Sequence, residues 1–147
     1  MTRSNANEAE IRALIEVQVK AHRDKDAKAV LASFAPDSVT FDLAPPLRHP
    51  GAGPRTEKDL AEWFKTWQGP VSVEPRDFKI VADDSLAFCH GLIRITGTKT
   101  GGERADLWAR QTVCLEKING AWKIMHDHTS VPFHMDGSYK AAIDLEP

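Results

Sequence analysis

Asp42 closes a short alternating stretch, Ser38-Val39-Thr40-Phe41-Asp42, and is followed by Leu43-Ala44-Pro45-Pro46. Its carboxyl therefore stands where a strand gives way to a stiff loop. A carboxylate so placed serves as a general base when an apolar surround raises its pKa toward the working pH. It serves equally well to cap neighbouring backbone amides, as aspartates before loops commonly do. A denser ionisable group occurs at His126-Asp127-His128. In a strand, alternation puts both histidines on one face and Asp127 on the other. His126 and His128, joined by His90 from an adjoining strand, have the residue types of a zinc set. No Cys or Glu stands beside them, and no metal is expected. Hydrogen-bonded histidines in a pocket wall or a subunit interface are the other reading.

Arg94 and Arg110 interrupt apolar strand runs. Inside a cavity a guanidinium clamps a carboxylate bidentately; on a solvated face it pairs with Asp106 or Glu116. Trp63, Trp67 and Trp108 offer flat apolar surface, either to roof a cavity over a ligand or to fill the core. Cys89 and Cys114 have no cationic neighbour in sequence, and two cysteines fit reduced, buried thiols in a cytoplasmic protein. One cross-strand bridge between them stays open. No phosphate loop, catalytic triad signature or cofactor fingerprint occurs, so no cofactor is expected.

These residues hang on a simple order of elements. From Asn5, with Glu8 three residues on, Ile11, Leu14, Ile15, Gln18, Val19 and His22 trace one helical stripe. Gln18 and His22 are polar where a core helix prefers leucine. They sit at the stripe's edge or line a wet cavity beneath it. A second helix carries Ala27, Val30, Leu31 and Phe34, and Pro36 ends it. Residues 43–54, with four prolines, form neither helix nor central strand. A third helix opens near Thr56, sets Leu60, Trp63, Phe64 and Trp67 on one face, and stops at Gly69-Pro70. After it, residues 71–82, 85–97, 103–118 and 121–133 read as antiparallel strands, the last pair joined by Asn119-Gly120. Helices first and a meander of long strands afterwards predict an α+β fold. The domain is expected over residues 1–134, with a tail at 135–147.

Nineteen Lys and Arg against 21 Asp and Glu leave a net charge of −2, so no basic excess exists to grip a polyphosphate and nucleic acid is excluded as an expected partner. The N-terminus lacks the apolar stretch of a signal peptide, and no run approaches a membrane span. A cytoplasmic protein without membrane contact is expected.

The element order resembles the nuclear transport factor 2-like superfamily, in which a curved, mostly antiparallel sheet wraps three helices into a cone with an internal cavity. Phe41 to Leu47, together with Trp122-Lys123-Ile124-Met125-His126-Asp127-His128-Thr129-Ser130, resembles its SnoaL-like, ketosteroid isomerase-homologue branch. The same ending, with Ile93-Arg94-Ile95-Thr96, is similar to the association domain of calcium/calmodulin-dependent protein kinase II. The isomerase resemblance places Asp42 at the general-base position and Gln18 and Cys114 at the two oxyanion-donor positions. A thiol donates weakly, so ketosteroid isomerisation is not expected. What the resemblance implies is a small-molecule cavity with Asp42 as base and Gln18, Trp63, Trp67, Arg94, Trp108, Arg110, His126 and His128 around the ligand. The two comparisons imply opposite faces for the arginines. The expected activity is cofactor-independent acid–base chemistry on an apolar or carboxylated metabolite, the alternative being a non-catalytic binding or assembly module. Leu86, Phe88 and Leu92 alternate against Ala87, Cys89 and Gly91, which predicts a covered outer sheet face and a homodimer.

Overall fold

The stripe that begins at Ile11 buries this residue completely against Ile80, Ala87, Cys89, Val113, Leu115, Trp122 and Ile124. This contact fixes which side of the sheet meets the helices. The computed structural model describes residues 2–147, with side chains from residue 6 onward apart from 54 and 55. The predicted cap at Asn5 falls outside the described side chains. In chain order the elements are α1 (Thr2–Arg23), α2 (Ala27–Leu31), β1 (Phe34–Phe41), β2 (His49–Pro50), α3 (Pro54–Phe64), β3 (Trp67–Ala82), β4 (Leu86–Lys99), β5 (Arg104–Ile118) and β6 (Ala121–Ser130). The strands form one curved, open sheet in the order β2-β1-β6-β5-β4-β3. All pairs are antiparallel except β1 with β6, which run parallel.

Register assigns the faces. Ile80, Cys89, Val113, Asp127 and Thr40 form one continuous row across five strands. Cys89 and Val113 pack on Ile11, so this row faces the helices. Odd-numbered positions of β4 and β5 therefore face inward and even-numbered ones outward. In β6 a register shift between Cys114 and Leu115 inserts one extra residue. Trp122 and Ile124 face the core, but beyond Met125 it is Asp127 that faces inward and His126 and His128 that face out.

Several boundaries differ from the sequence expectation. Phe34 and Pro36 belong to β1, leaving α2 only Ala27–Leu31 with Asp26 as its N-cap, whose carboxylate accepts the Ala29 N–H. Trp67, Gly69 and Pro70 belong to β3, where the register shifts between Gln68 and Ser72. Gly69 lies at φ +77°, so glycine and proline form a bulge in an edge strand instead of a helix stop. Gly97 sits within β4, and a Cβ there would stand 2.7 Å from the Trp67 ring. Asn119 and Gly120 turn as expected, with φ of 51° and 81°. The proline-rich segment supplies the two-residue edge strand β2.

The aperiodic tail is folded. Phe133 bridges Ala141, the Ala142 amide donates to the Pro132 carbonyl at 2.7 Å, and His134 pairs with Asp144 at 2.9 Å. Ala142 is buried. Among the described residues no helix is long and apolar enough to cross a membrane.

Candidate functional site

His22 lies in the last turn of α1 with its ring edge-on to Phe64 of α3, 5.9 Å between centroids. Its Nδ1 stands 2.7 Å from the Gln18 carbonyl. A carbonyl only accepts, so Nδ1 carries the proton and Nε2 keeps a free lone pair. Burial pulls the His22 pKa below 6.5, against the raising effects of the Gln18 carbonyl and of Asp42. Burial therefore favours the neutral ring, and the charge of Asp42 acts on it in the opposite sense. The Asp42 side chain is exposed at the end of β1, and one of its oxygens accepts the Leu43 N–H at 2.7 Å. Local capping, one of the two readings of Asp42, is thus realised, and its charge reaches His22.

Asp127 enters the same group from β6. It pairs with Thr40, two residues before Asp42, and with Val113. Gln111 Nε2 donates to its Oδ1 at 3.0 Å. Burial pushes the Asp127 carboxyl up to about 6, and the charge on Asp42 pushes in the same direction. The lowering effects of Gln111 and His126 do not offset this. Asp42 thus lies within electrostatic reach of both His22 and Asp127. Beside this polar end, Ile93, Ile95, Leu107 and Ala109 share the inward parity of Cys89 and Val113, giving an apolar wall. Trp63 is 38% exposed and packs against Phe64 and Trp67, with centroids at 5.3 and 5.6 Å. Trp67 is buried beneath it, and Lys99 lies 3.9 Å above its ring.

The structure separates the other expected ligand residues from this group. Arg94 and Arg110 lie on the same sheet face, the outer one. Arg94 is held bidentately by Asp106, 2.9 Å on each arm, which raises its already high pKa, and it stacks on Trp108 at 5.7 Å. Arg110 donates to Ser130 Oγ at 3.2 Å. Neither guanidinium is placed to clamp a carboxylate inside the sheet. Trp108 is also outward, between Arg94 and Arg76, so it does not roof a cavity with Trp63 and Trp67. His126 donates from Nδ1 to the Val39 carbonyl at 2.6 Å, and Phe41 lies edge-on to both His126 and His128, all on the outer face. Among the described residues no three His, Cys, Asp or Glu side chains gather as a metal set.

Gln18 reaches across to donate one of its two amide N–H groups to the Val30 carbonyl at 2.9 Å, tying α1 to α2. Cys114 faces out and Cys89 in, which rules out a bridge between them; burial pushes the Cys89 thiol up to about 12. Two cavities form elsewhere. One of about 300 Å³ is bounded by Ala6, Asn7, Glu10, Asp84 and Lys117, and one of about 140 Å³ lies between Arg94, Asp106, Trp108 and tail residues 143–146. Neither touches Asp42, Trp63 or Trp67. His22 was visible in the sequence as a polar break in an apolar stripe, and Asp127 as the central member of the 126–128 cluster.

N-terminal helices packed in a curved, open six-stranded sheet define a nuclear transport factor 2-like domain. The SnoaL-like domain model matches residues 11–134, and the chain belongs to that family. A nuclear transport factor 2-like protein of unknown function from Pseudomonas putida is 32% identical, with 99% of each chain covered and a TM-score of 0.86. A candidate calcium/calmodulin-dependent protein kinase II association domain from Xanthomonas campestris is 25% identical over 82% of this chain and 84% of that one, TM-score 0.68. A candidate scytalone dehydratase from Novosphingobium aromaticivorans is 20% identical over 97% and 95%, TM-score 0.76. No curated protein sequence matches this chain significantly.

Proposed function

We propose that this protein is a cofactor-independent acid–base enzyme of the cytoplasm, acting on a small metabolite. Isomerisation, cyclisation, dehydration and hydrolysis all need a base and an acid that titrate near neutrality. The observation that carries the reading is the pairing of environments: His22 is pulled down and the Asp127 carboxyl lifted to about 6. Opposite shifts in two groups that the charge of Asp42 reaches suit them to base and acid roles at one pH. His22 Nε2 takes a proton from the substrate, and Asp42 stabilises the imidazolium that forms. The protonated fraction of Asp127 donates to the oxygen that gains charge or leaves. The ketosteroid isomerase arrangement is not reproduced, since Cys114 faces out. The outer sheet face is proposed to pair two copies of the chain.

The test is turnover of a hydroxy-carbonyl substrate panel by the native protein and by His22→Gln and Asp42→Asn. For His22→Gln we expect a loss in kcat/KM of about 10²–10⁴-fold with the fold intact. Full activity in that variant would end the proposal.

A further inference from the structure

The histidines of β4 and β6 all stand on the outer sheet face. His126 and His128 follow the bulge at Met125, and His90 shares one row with Thr112 and His128 across three strands. His126 has the support of a metal ligand. Its Nδ1 donates to the Val39 carbonyl at 2.6 Å, which fixes the ring and leaves the Nε2 lone pair free. A carbonyl or carboxylate behind the imidazole is the usual partner of a histidine that holds a metal. His128 is exposed, and its ring meets Phe41 and His126. The centroids of the two imidazoles are 6.2 Å apart. Two imidazoles on one tetrahedral zinc, each nitrogen about 2.1 Å from the ion, have centroids roughly 5–6 Å apart. A small rotation of the exposed His128 ring closes the difference. Phe41, edge-on to both rings at 4.7 and 5.4 Å, gives the pair an apolar flank.

One chain supplies two donors, where a structural zinc site takes four. Cys114 stands across from His126, and His90 lies two strands from His128 and stacks on Phe88. Among the described residues no third donor joins the pair. The surrounding surface indicates where the others come from. Val81, Leu86 and Phe88 are exposed on this face, and with the exposed side chains of the tail they offer on the order of 800 Å², the share of one partner in a stable dimer. The row of His90, Thr112 and His128 crosses the middle of the face, between Phe88 and Arg94. A two-fold axis along that row turns His128 onto His128 of a second copy and sets the two His126 rings on either side. Four imidazoles then surround one point.

We propose that the outer face carries half of a metal site, in which His126 and His128 of two copies hold one divalent transition-metal ion that locks the dimer. Imidazole donors suit zinc, copper or nickel, not calcium or magnesium. With four protein donors the ion is structural and takes no part in the chemistry of the inner face. The site rests on the pairing of outer faces proposed above and adds what holds the pair together.

The experiment titrates zinc into the chelator-dialysed native protein at about pH 7.5, where histidine is mostly neutral. A colorimetric competitor reads affinity, and light scattering along a dilution series reads mass. One zinc per two chains is expected, with a dimer that survives about tenfold further dilution with zinc than without. His128→Gln, at an exposed position, should keep the fold and weaken zinc binding about tenfold or more, and His126→Gln should do the same. His90→Gln and Cys114→Ser, measured where the chain is dimeric, should leave the affinity unchanged. One zinc per chain, affinity untouched by both His126→Gln and His128→Gln, or a loss in either of the other two variants would overturn the site. A dimer that takes up no zinc ends the metal site while the pairing stands. A chain that stays monomeric until zinc is added ends the unaided pairing while the metal site stands, and a monomer under both conditions ends both.

Discussion

Asp127 and His22 both shift toward their neutral forms on folding, and the consequences for stability have opposite signs. The Asp127 carboxyl titrates at about 6 in the folded chain against an ordinary 3.8. Between these values the native state binds more protons than the unfolded one, so stability falls as pH rises through the window and is level above it. The full cost is up to about 3 kcal/mol. His22 is lowered from 6.5, so its unfolded form binds more protons and stability falls as pH drops below 6.5. Burial sets both shifts; Asp42 adds to that of Asp127 while Gln111 and His126 oppose it, and Gln18 and Asp42 oppose that of His22. Replacing Asp127 by Asn keeps a side chain that Gln111 can meet and removes the buried charge. Urea unfolding of Asp127→Asn should lose the decline between pH 4 and 6 and show a gain of about 1–3 kcal/mol at pH 7. An unchanged pH profile would mean that Asp127 ionises freely. Catalysis should carry the mark of Asp42 on His22. In Asp42→Asn the acid limb of kcat/KM should move to lower pH, because the carboxylate that raises the imidazole's proton affinity is gone.

At the scale of elements, the first turn of β3 is locked to the end of β4 by one missing side chain. A Cβ at Gly97 would stand 2.7 Å from two Trp67 ring carbons. Trp67 is buried and has Lys99 3.9 Å from its ring centroid, so it has little room to retreat. Gly97→Ala should cost about 1–3 kcal/mol by thermal or urea unfolding, as overpacking does; a neutral result would show that the ring shifts freely. This glycine was legible in the sequence only as a loop signal, because alternation says nothing about what packs on a position. The same limit governed the site. Three helices followed by a long-stranded meander could be read directly, since periodicity of 3.6 and of 2 is a local property. The faces of the strands could not. Parity becomes inward or outward only once one position is known to meet a helix, and Ile11 on Cys89 and Val113 supplies that anchor. The bulge at Met125 then reverses the parity of β6, exchanging the two histidines for Asp127. Arg94, Arg110 and Trp108 were recognisable as unusual strand residues; Arg94 and Trp108 join in a surface ion pair with Asp106 and a cation–π stack, and Arg110 bonds Ser130.

Across the whole molecule, the outer face has the composition of a surface meant to be covered. Val81, Leu86 and Phe88 remain 43%, 59% and 44% exposed on it, with Leu92 and Cys114 beside them in the same outward register. The histidine and aromatic group of Phe41, His126 and His128 continues this surface toward β1. A second exposed apolar group, Phe133, Met135, Tyr139, Ile143 and Leu145, belongs to the folded tail, which lies over the Arg94 end of that face. The two groups thus occupy opposite ends of β4 and β5. A two-fold axis through the middle of the face would bring the tail of one copy onto Leu86 and Phe88 of the other, and the reverse contact follows by symmetry. The eight large side chains involved expose on the order of 800 Å², the area per partner typical of a stable dimer. Light scattering should therefore give twice the 16.3 kDa chain mass. Leu86→Lys combined with Phe88→Lys should halve that mass without disturbing the core, because both side chains point away from Ile11 and its neighbours. Removal of residues 133–147 should weaken the same association, since each copy would lose the cover it gives its partner's β4. A native protein that stays monomeric at high micromolar concentration would show that the exposed face serves some other contact, and the two variants would then change solubility alone.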